Sequence, residues 1–311
     1  MSSQVRHLGF VSWRDLSLSG ETVSHKRTHT AELVAFARAA GTYERDATVR
    51  NPDTLAPVLI SRRHRIGLLP GIRQALGAVY ERICPGMYLY HQARTQFFDS
   101  VLHQELAGGL DQLVILGAGL DSRAYRFARQ LADVRVYEVD HPGTSALKQQ
   151  RLKRWGGATE HVSFVPVDFT CESLDTALAK HGFDFQARSF FLWEGVSYYL
   201  SDVDVRRTLA VLGRAPSGSA VAFDYVVEDA LVRPQAYLGG KEFFSYVMKR
   251  GEPVLSGLHP DKMDVYLSPY GFAAISNVSI AELEALYLTP GSREDCGRAC
   301  GVFGMVHARK L

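Results

Sequence analysis

The chain has 311 residues, 46% of them hydrophobic, which is enough to bury the core of one large compact enzyme. Its formal charge of +2 gives no field that would attract nucleic acid or an anionic membrane, so neither is expected as a partner. The N-terminal residues lack the apolar run of a signal peptide, and no later stretch is as long as a membrane span. We therefore expect a cytoplasmic protein.

The four cysteines are scattered, which suits a reducing compartment and argues against a disulfide framework. Cys296 and Cys300 are the only close pair, and His307 is the only histidine near them. A zinc site needs more ligands than this, so no metal is predicted. An iron–sulfur enzyme needs three closely spaced cysteines, and this requirement is not met either.

The first 110 residues are predicted to form a helical lid. Helices are predicted over residues 22–41, over residues 54–79 with a break at 69–71, and over residues 92–106. In the last of these, Phe97 and Val101 belong to one apolar face. We expect the three helical regions to form a lid over the glycine turn that opens the second predicted domain, residues 111–311.

A strand, a glycine turn and a helix open the second domain. Residues 113–116 form a short apolar run, which is typical of a strand covered on both faces. Gly117, Ala118 and Gly119 follow, and glycine lets the backbone turn sharply and approach a ligand closely. A helix is predicted from about residue 122 through Leu131. Its free N–H groups would point back toward the turn.

The next predicted strand ends at Asp140, about 20 residues after the glycines. At this separation a carboxylate can accept both hydroxyl groups of a ribose. Capping of the helix that begins near Pro142 is the structural alternative for Asp140. Glu138 alternates with Asp140, and it can either share the same face or pair with a buried basic residue.

The turn lacks the third glycine of the dinucleotide-binding fingerprint. Ser122 stands at that position, and Asp121 places a carboxylate where a pyrophosphate would lie. These residues argue against NAD(P) and for a single nucleoside as ligand. We expect Arg123 to brace the loop by pairing with Asp121 or Asp140.

Strands and helices alternate as far as residue 227, which indicates a parallel sheet with right-handed crossovers. Residues 228–262 are rich in aromatic residues, glycine and proline, and are predicted to be an insertion that walls the substrate site. Two further strands are predicted over residues 272–278 and 302–308. No repeat, linker or low-complexity segment interrupts this order.

Seven segments of the chain resemble one known family in order and spacing. They are ARTQFFD at residues 93–99, LGAGLDSRAYR at 116–126, YEVDHP at 137–142, FVPVDF at 164–169, FLWEGVSYYL at 191–200, FDY at 223–225 and GEPVLSGLHPDKMDVYLSPYGF at 251–272. The family is the leucine carboxyl methyltransferase-like group of class I S-adenosylmethionine (SAM)-dependent methyltransferases, which includes bacterial O-methyltransferases of natural-product pathways. The resemblance runs from about residue 22 to the C-terminus.

The resemblance implies an α/β fold of the Rossmann-like class I type, with a mostly parallel seven-stranded sheet, an antiparallel closing strand and an N-terminal helical lid. It also implies SAM as cofactor. Arg94 would grip the SAM carboxylate with a bidentate fork. Asp168 would accept the adenine amino group, and Phe169 would donate its backbone N–H to the ring. Pairing of Arg94 with Asp99 or Glu105, and capping of a helix by Asp168, are the structural alternatives.

Glu194 follows a predicted apolar strand, where parallel sheets place their ligands. A buried carboxylate needs a cation, and the resemblance implies that the SAM ammonium group supplies it. Trp193, Tyr198 and Tyr199 either pack in the core or wall the sulfonium, which a ring face would attract. With Tyr237, Phe243, Phe244 and Tyr246 of the insertion, the two tyrosines could form an aromatic cage.

The function that these features predict is SAM-dependent O-methylation of a small-molecule carboxylate or hydroxyl in secondary metabolism. A carboxylate needs no base, whereas a phenol or an amine does, and His91, His141 or His259 could serve. One alternative is cyclisation of SAM itself, with its α-amine as nucleophile, which gives a cyclic amino acid and methylthioadenosine. The other is a non-catalytic binding module of the same fold.

Overall fold

A computed structural model describes residues 20–168, 172–288 and 297–311, with side chains described from residue 30 onward. The N-terminal part is helical: α1 (Gly20–Gly41), α2 (Ala56–Leu59), α3 (Arg62–Ile66), α4 (Ile72–Ile83) and α5 (Met87–Ala107). The predicted first and third helices are thus confirmed. The second predicted region is three helices, interrupted at residues 60–61 as well as at the predicted break, and it continues to Ile83.

The following segment alternates between strands and helices. Its elements are β1 (Gln112–Leu116), α6 (Arg123–Arg126), β2 (Arg135–Asp140), α7 (Pro142–Trp155), β3 (Val162–Pro166), α8 (Leu174–Lys180), β4 (Ser189–Trp193), α9 (Asp202–Leu212) and β5 (Ala220–Val226). The alternation predicted for this part of the chain is confirmed.

The last part contains the predicted insertion and the closing strands. Its elements are α10 (Glu228–Val232), α11 (Gly240–Lys249), α12 (Met263–Leu267), β6 (Phe272–Ser279), α13 (Ile280–Tyr287) and β7 (Phe303–Lys310). Both closing strands agree with the prediction within two residues.

Seven strands of the described residues form one sheet in the order β3-β2-β1-β4-β5-β7-β6. The pairings among β1 to β5 are parallel, and β7 runs antiparallel to both β5 and β6. The predicted mostly parallel sheet with an antiparallel member is therefore confirmed. From β1 the chain proceeds outward in one direction to β2 and β3, and then returns to form β4 on the other side of β1. Ligands of open α/β sheets bind at such a switch point.

Two hydrophobic cores lie on opposite faces of the sheet, as the alternation of side chains along a strand requires. Leu113 and Ile115 of β1 join the core that includes α5, whereas Val114 and Leu116 join the core that includes α8 and α9. In the described parts of the chain, no helix is both long enough and apolar enough to span a membrane.

The helix predicted through Leu131 is too long, because the helical turn α6 ends at Arg126. Tyr125, Phe127 and Leu131 are all buried, but they lie on a turn-rich segment rather than on one face of a regular helix. Strand β3 ends at Pro166, and Asp168 lies in the loop that follows.

Candidate functional site

The glycine turn and Asp140 meet at the carboxyl edge of the sheet. Gly117 and Gly119 have φ angles of 64° and 45°, and they directly follow β1. The Gly119 N–H donates to Asp140 Oδ2, and the His141 N–H donates to Asp140 Oδ1 at 2.6 Å. The strand register explains the meeting, because Leu116 lies opposite Val139 in the β1–β2 pair. The predicted neighbourhood of the turn and the acid is therefore present.

Gly117 cannot be replaced without strain. Besides its left-handed φ, a Cβ at this position would overlap the Val196 side chain in the loop after β4. The turn therefore packs directly against the segment that carries Glu194.

Asp140 does not cap the next helix. The N-cap of α7 is His141, whose Nδ1 accepts the Gly143 N–H at 3.2 Å. Burial raises the pKa of Asp140, and the amide hydrogen bonds from Gly119 and His141 oppose this shift. Asp140 thus holds the turn in place and presents a carboxyl group at the position predicted for a ribose. Its role in binding stays a prediction.

Glu138 pairs with a basic residue below the turn. Its Oε2 lies 2.8 Å from Lys148 Nζ, and both side chains are buried. Lys148 Nζ also reaches the carbonyl oxygen of Ala118 at 3.5 Å. The pair therefore supports the turn from beneath, which is the second of the two roles considered for Glu138.

Beside the turn, arginines and carboxylates form one continuous buried chain, the ion-pair chain. Along it, each cation contacts the anion before it and the anion after it. Its members, in spatial order, are Arg38, Asp53, Arg126, Asp99, Arg123, Glu194, Arg94 and Asp224, with Asp121 as a branch from Arg123. Every side chain in it is 10% exposed or less. It links α1 to β5 across the carboxyl ends of the strands.

Arg94 lies at the inner end of the ion-pair chain. Its Nε is 2.9 Å from Glu194 Oε1, and its Nη1 is 3.0 Å from Asp224 Oδ2. The alternative partners considered for Arg94 are taken by others, since Asp99 pairs with Arg123 and Arg126, and Glu105 pairs with Arg188, His307 and Arg309. A ligand carboxylate would have to share this guanidinium with two protein carboxylates. The predicted contact of Arg94 with SAM stays a prediction.

Glu194 meets two cations from the protein itself. Its Oε2 lies 2.6 Å from Arg123 Nη1, in addition to the contact with Arg94. Burial alone would raise the pKa of Glu194, but the guanidinium groups of Arg123 and Arg94 outweigh it and lower that pKa. The burial of Glu194 therefore does not by itself require a ligand cation.

Asp121 and Asp140 were the two predicted partners of Arg123. The structure pairs Arg123 with Asp121 and not with Asp140, so Arg123 braces the loop through Asp121. Its Nε is 2.7 Å from Asp99 Oδ1. The Arg123 guanidinium thereby connects the loop after β1, the lid helix α5 and the end of β4.

The aromatic candidates divide into two kinds. Trp193 is buried in the core against Phe223, at 5.8 Å between ring centroids, which favours core packing. Tyr198 and Tyr199 lie 4.6 Å apart between ring centroids beside the ion-pair chain, and Phe243 of the insertion packs against Tyr198 at 6.4 Å.

The two residues predicted to bind adenine lie after β3. Asp168 is half-buried, and Phe169 lies outside the described residues.

The structure separates the three histidines considered as bases. His91 is buried one turn before Arg94 on α5. Its Nε2 lies 3.3 Å from the Tyr80 hydroxyl oxygen, and its Nδ1 has no hydrogen-bond partner in the described part of the chain. Burial, Arg94 and Arg38 lower the pKa of His91 well below its usual value, so the ring is neutral. His141 caps α7, and His259 lies 3.9 Å from exposed Asp261. Only His91 among these three lies beside the ion-pair chain.

Sequence reasoning missed half of the ion-pair chain. Asp224 is fully buried, and it accepts hydrogen bonds from the Tyr90 hydroxyl at 2.7 Å and from the Gly195 N–H at 2.6 Å. Asp224 and Asp99 stand in the FDY and ARTQFFD segments, so the resemblance contained a signal for both. Arg126 likewise ends the LGAGLDSRAYR segment, whereas Arg38 and Asp53 gave no signal, because each finds its partner only in the folded chain.

The ion-pair chain has more carboxylates than guanidinium groups. Among the described residues, five carboxylates and four guanidinium groups form the ion-pair chain and its branch, which leaves one net negative charge when all are ionised. SAM carries a sulfonium, an ammonium and a carboxylate, and thus one net positive charge. No group of three or more potential metal ligands occurs in the described part of the chain, and His307 is paired with Glu105 at 2.9 Å.

The site combines a switch in strand order, a glycine turn, an acid after β2 and an anionic ion-pair chain. Together these features define a nucleoside-binding enzyme of the Rossmann-like class, the class to which class I methyltransferases belong.

Comparison with known proteins identifies the family. The model of the leucine carboxyl methyltransferase family matches residues 31–213. YktD of Bacillus subtilis, named as a proposed SAM-dependent methyltransferase, is 31% identical over 70% of this chain and 71% of its own. A protein of Mycobacterium sp. strain KMS with the same proposed activity is 31% identical over 82% of this chain and 87% of its own.

Among solved structures, a proposed methyltransferase from Thermobifida fusca superposes with a TM-score of 0.56 at 14% identity, over 89% of this chain and 94% of that one. A protein of the DUF574 family from Streptomyces avermitilis has a TM-score of 0.54 at 19% identity, over 78% and 91%. At these identities the two structures show the fold alone. The chain belongs to the leucine carboxyl methyltransferase family; it is a SAM-dependent methyltransferase, and SAM is its cofactor.

Proposed function

We propose that the enzyme methylates an oxygen atom, either a carboxylate or a hydroxyl group, of a small molecule of secondary metabolism. When bound, SAM supplies an electrophilic methyl group on its sulfonium. The protein has to hold an acceptor oxygen in line with that group and exclude water. We expect Asp140 to bind the ribose, Asp168 and Phe169 the adenine, and Arg94 and Glu194 the methionine moiety.

The observation that supports an oxygen acceptor is a group of phenols near Arg94, of which Tyr198 is buried and Tyr80 and Tyr199 are half-buried. Burial raises the pKa of Tyr80, Tyr198 and Tyr199 above the usual value, and Arg94 acts on all three from nearby. A tyrosine hydroxyl is protonated at neutral pH even without such a shift, so each of these phenols can donate a hydrogen bond. Donors of this kind suit a carboxylate or hydroxyl oxygen better than an ammonium group, which has no lone pair to accept them.

A hydroxyl acceptor needs a base, and His91 is the candidate that the geometry supports. Its ring is neutral, and Nδ1 has no hydrogen-bond partner among the residues that the structure describes. A carboxylate acceptor needs no base, so a His91→Gln variant would distinguish the two acceptor classes. We expect this variant to lose activity on hydroxyl acceptors and to keep it on carboxylates.

We also propose that the enzyme acts in the cytoplasm, because its cysteines are scattered and Cys84 and Cys300 are buried free thiols.

The test is mass spectrometry of the full chain incubated with SAM, first alone and then with libraries of carboxylic acids, phenols, alcohols and amines. We expect S-adenosylhomocysteine and a methyl ester or ether, formed only when an oxygen acceptor is present. Methylthioadenosine from SAM alone would contradict the proposal and favour cyclisation. Methylation of amines alone would contradict the acceptor class.

A residue test accompanies the acceptor screen. Tyr199→Phe removes one of the phenol donors, and we expect it to lower turnover while SAM binding, measured by calorimetry, stays unchanged. Tyr266→Phe is the matched control, because its hydroxyl pairs with Asp202 away from the site. Equal effects of the two substitutions would contradict a role for Tyr199 in holding the acceptor.

A further inference from the structure

Helices α3 and α4 expose an apolar surface, here called the lid surface. Its apolar members are between 41 and 58% exposed, and they are Ile66, Leu69, Ile72, Leu76, Val79 and Ile83. Large apolar side chains scattered singly on a surface are ordinary, but a contiguous patch marks an interaction site. Six such residues within 18 positions form a patch of this kind.

The orientation of α4 is the reverse of that of a helix that packs in a core. Ile72, Leu76, Val79 and Ile83 follow the spacing of one helix face, and all four are exposed. The half-buried positions of α4 are Arg73, Gly77 and Tyr80, which follow the same spacing on the adjacent face. The helix therefore directs its apolar stripe outward, where the rest of the described chain does not cover it.

Basic side chains flank the stripe. Arg62, Arg63 and Arg65 are exposed on α3, and Arg82 is exposed near the end of α4. Glu81 is the only acidic residue between positions 60 and 84. The lid surface is therefore strongly cationic, although the whole chain has a formal charge of only +2. The formal charge of the whole chain predicts no attraction to a membrane, because it averages this local excess of positive charge with the charges of the rest of the chain.

A shallow groove of about 260 Å³ borders the lid surface. Tyr43, Pro57, Leu68 and Pro70 line it with apolar atoms, and Arg65 stands at its side. An apolar groove next to a guanidinium group matches the two parts of an anionic lipid, its acyl chain and its head group.

We propose that the lid surface binds the surface of an anionic lipid bilayer. An apolar stripe with basic flanks on a short helix is the pattern of a helix that lies in the interfacial plane. At 12 residues α4 is far too short to span a bilayer. The positively charged arginines beside the apolar stripe favour an anionic surface. Because the stripe runs along the whole of α4, it favours a continuous apolar phase over a localised acidic patch on a protein. This inference does not depend on the acceptor proposed above.

The experiment is co-sedimentation of the full chain with vesicles of phosphatidylcholine alone and of phosphatidylcholine mixed with phosphatidylglycerol. We expect binding to the mixed vesicles, much weaker binding to the neutral ones, and a loss of binding as salt is raised. The substitutions Ile72→Glu, Leu76→Glu and Val79→Glu, made together, should lower the partition coefficient about tenfold or more. Arg62→Gln with Arg63→Gln should lower it on mixed vesicles only.

The matched control replaces three exposed apolar residues elsewhere, Val203, Val265 and Leu286, with glutamate. It introduces the same charge and should bind vesicles nearly as the native chain does. Absence of binding to the mixed vesicles would overturn the proposal, and so would equal loss in the two triple variants. A concentration-dependent dimer that only the α4 variant breaks would assign the surface to a second copy of the chain and would also overturn it.

Discussion

Asp140 is the residue on which cofactor binding depends most directly. Burial raises the pKa of Asp140, so its carboxyl group is protonated at a higher pH than that of an exposed aspartate. A protonated carboxyl group cannot accept hydrogen bonds from both ribose hydroxyls. We expect SAM affinity, measured by calorimetry, to fall as the pH is lowered through this raised pKa. Asp140→Asn should weaken SAM by about 1–3 kcal/mol at neutral pH and should show much less pH dependence.

Asp202→Asn is the control, because it alters an exposed carboxylate on α9 that pairs with Arg206. It should leave SAM affinity unchanged at every pH. If Asp140→Asn bound SAM as the native enzyme does, the assignment of Asp140 to the ribose would be wrong.

Glu194 links the two arginines nearest the sheet, so it should contribute to stability. Glu194→Gln leaves Arg94 with Asp224 and Arg123 with Asp99, and we expect a loss of about 3 kcal/mol, near the low end for a broken buried pair. The pKa of Glu194 is lowered by Arg123 and Arg94 against the effect of burial. The stabilisation is therefore present above the unfolded pKa of about 4.3 and is lost as pH falls through the lower folded pKa.

Urea unfolding from neutral pH to about pH 3 measures this difference. The difference in the free energy of unfolding between the native enzyme and Glu194→Gln should narrow only at the lowest pH values. A gap that stayed constant through the whole range would show that Glu194 is not stabilised as an ionised group.

At the scale of elements, the turn after β1 is fixed by its contact with the loop after β4. Gly117→Ala meets both a left-handed backbone and the Val196 side chain, whereas Gly156→Ala meets only the backbone, since a Cβ there has no neighbour within 4 Å. We expect a cost of about 1–2 kcal/mol at Gly156. Overpacking should add about 1–3 kcal/mol at Gly117.

A double-mutant cycle with Val196→Ala isolates the contact. Gly117→Ala should be less destabilising on the Val196→Ala background, as measured by urea unfolding. If the two effects simply added, the side chain of Val196 would not be what excludes a Cβ from the turn.

Helix α1 is predicted to act as part of a lid over the turn. Arg38 Nη2 donates to the Leu120 carbonyl oxygen at 2.7 Å, and a methyl group at Gly119 would lie 3.6 Å from Ala31 Cβ. We expect S-adenosylhomocysteine to slow hydrogen exchange of the amides of residues 31–41. Helix α9 is the internal reference and should not change; equal exchange in α1 with and without the ligand would contradict a lid.

A helix or strand could be predicted where the residues that determine it lie within that segment itself. The strand at 113–116 and the helix ending at Gly41 were predictable because an apolar run and a glycine stop lie within the segment itself. The short α6 was not, because its arginines are held by Asp99 and Glu194, which are distant in sequence. The start of α5 at Met87 was missed for a similar reason, since its first turn packs into the core.

At the scale of the molecule, the collinear motifs predicted the fold and the cofactor, because segments that share order and spacing with a family also share its sheet. The ion-pair chain was less predictable. Arg38 and Asp53 carry no motif, and the path from α1 to β5 exists only once the N-terminal helices have packed on the sheet. The substrate is the least predictable part, because the phenols near Arg94 come from α4 and from the segment after β4.

The carboxyl edge of the sheet is expected to bind SAM and not a dinucleotide. Isothermal titration of the full chain with SAM, S-adenosylhomocysteine and NADH tests it most directly. SAM and S-adenosylhomocysteine should both bind, since both carry the ribose and the methionine carboxylate, and NADH should give no heat of binding because Asp121 opposes a pyrophosphate. Binding of NADH without binding of SAM would contradict the account.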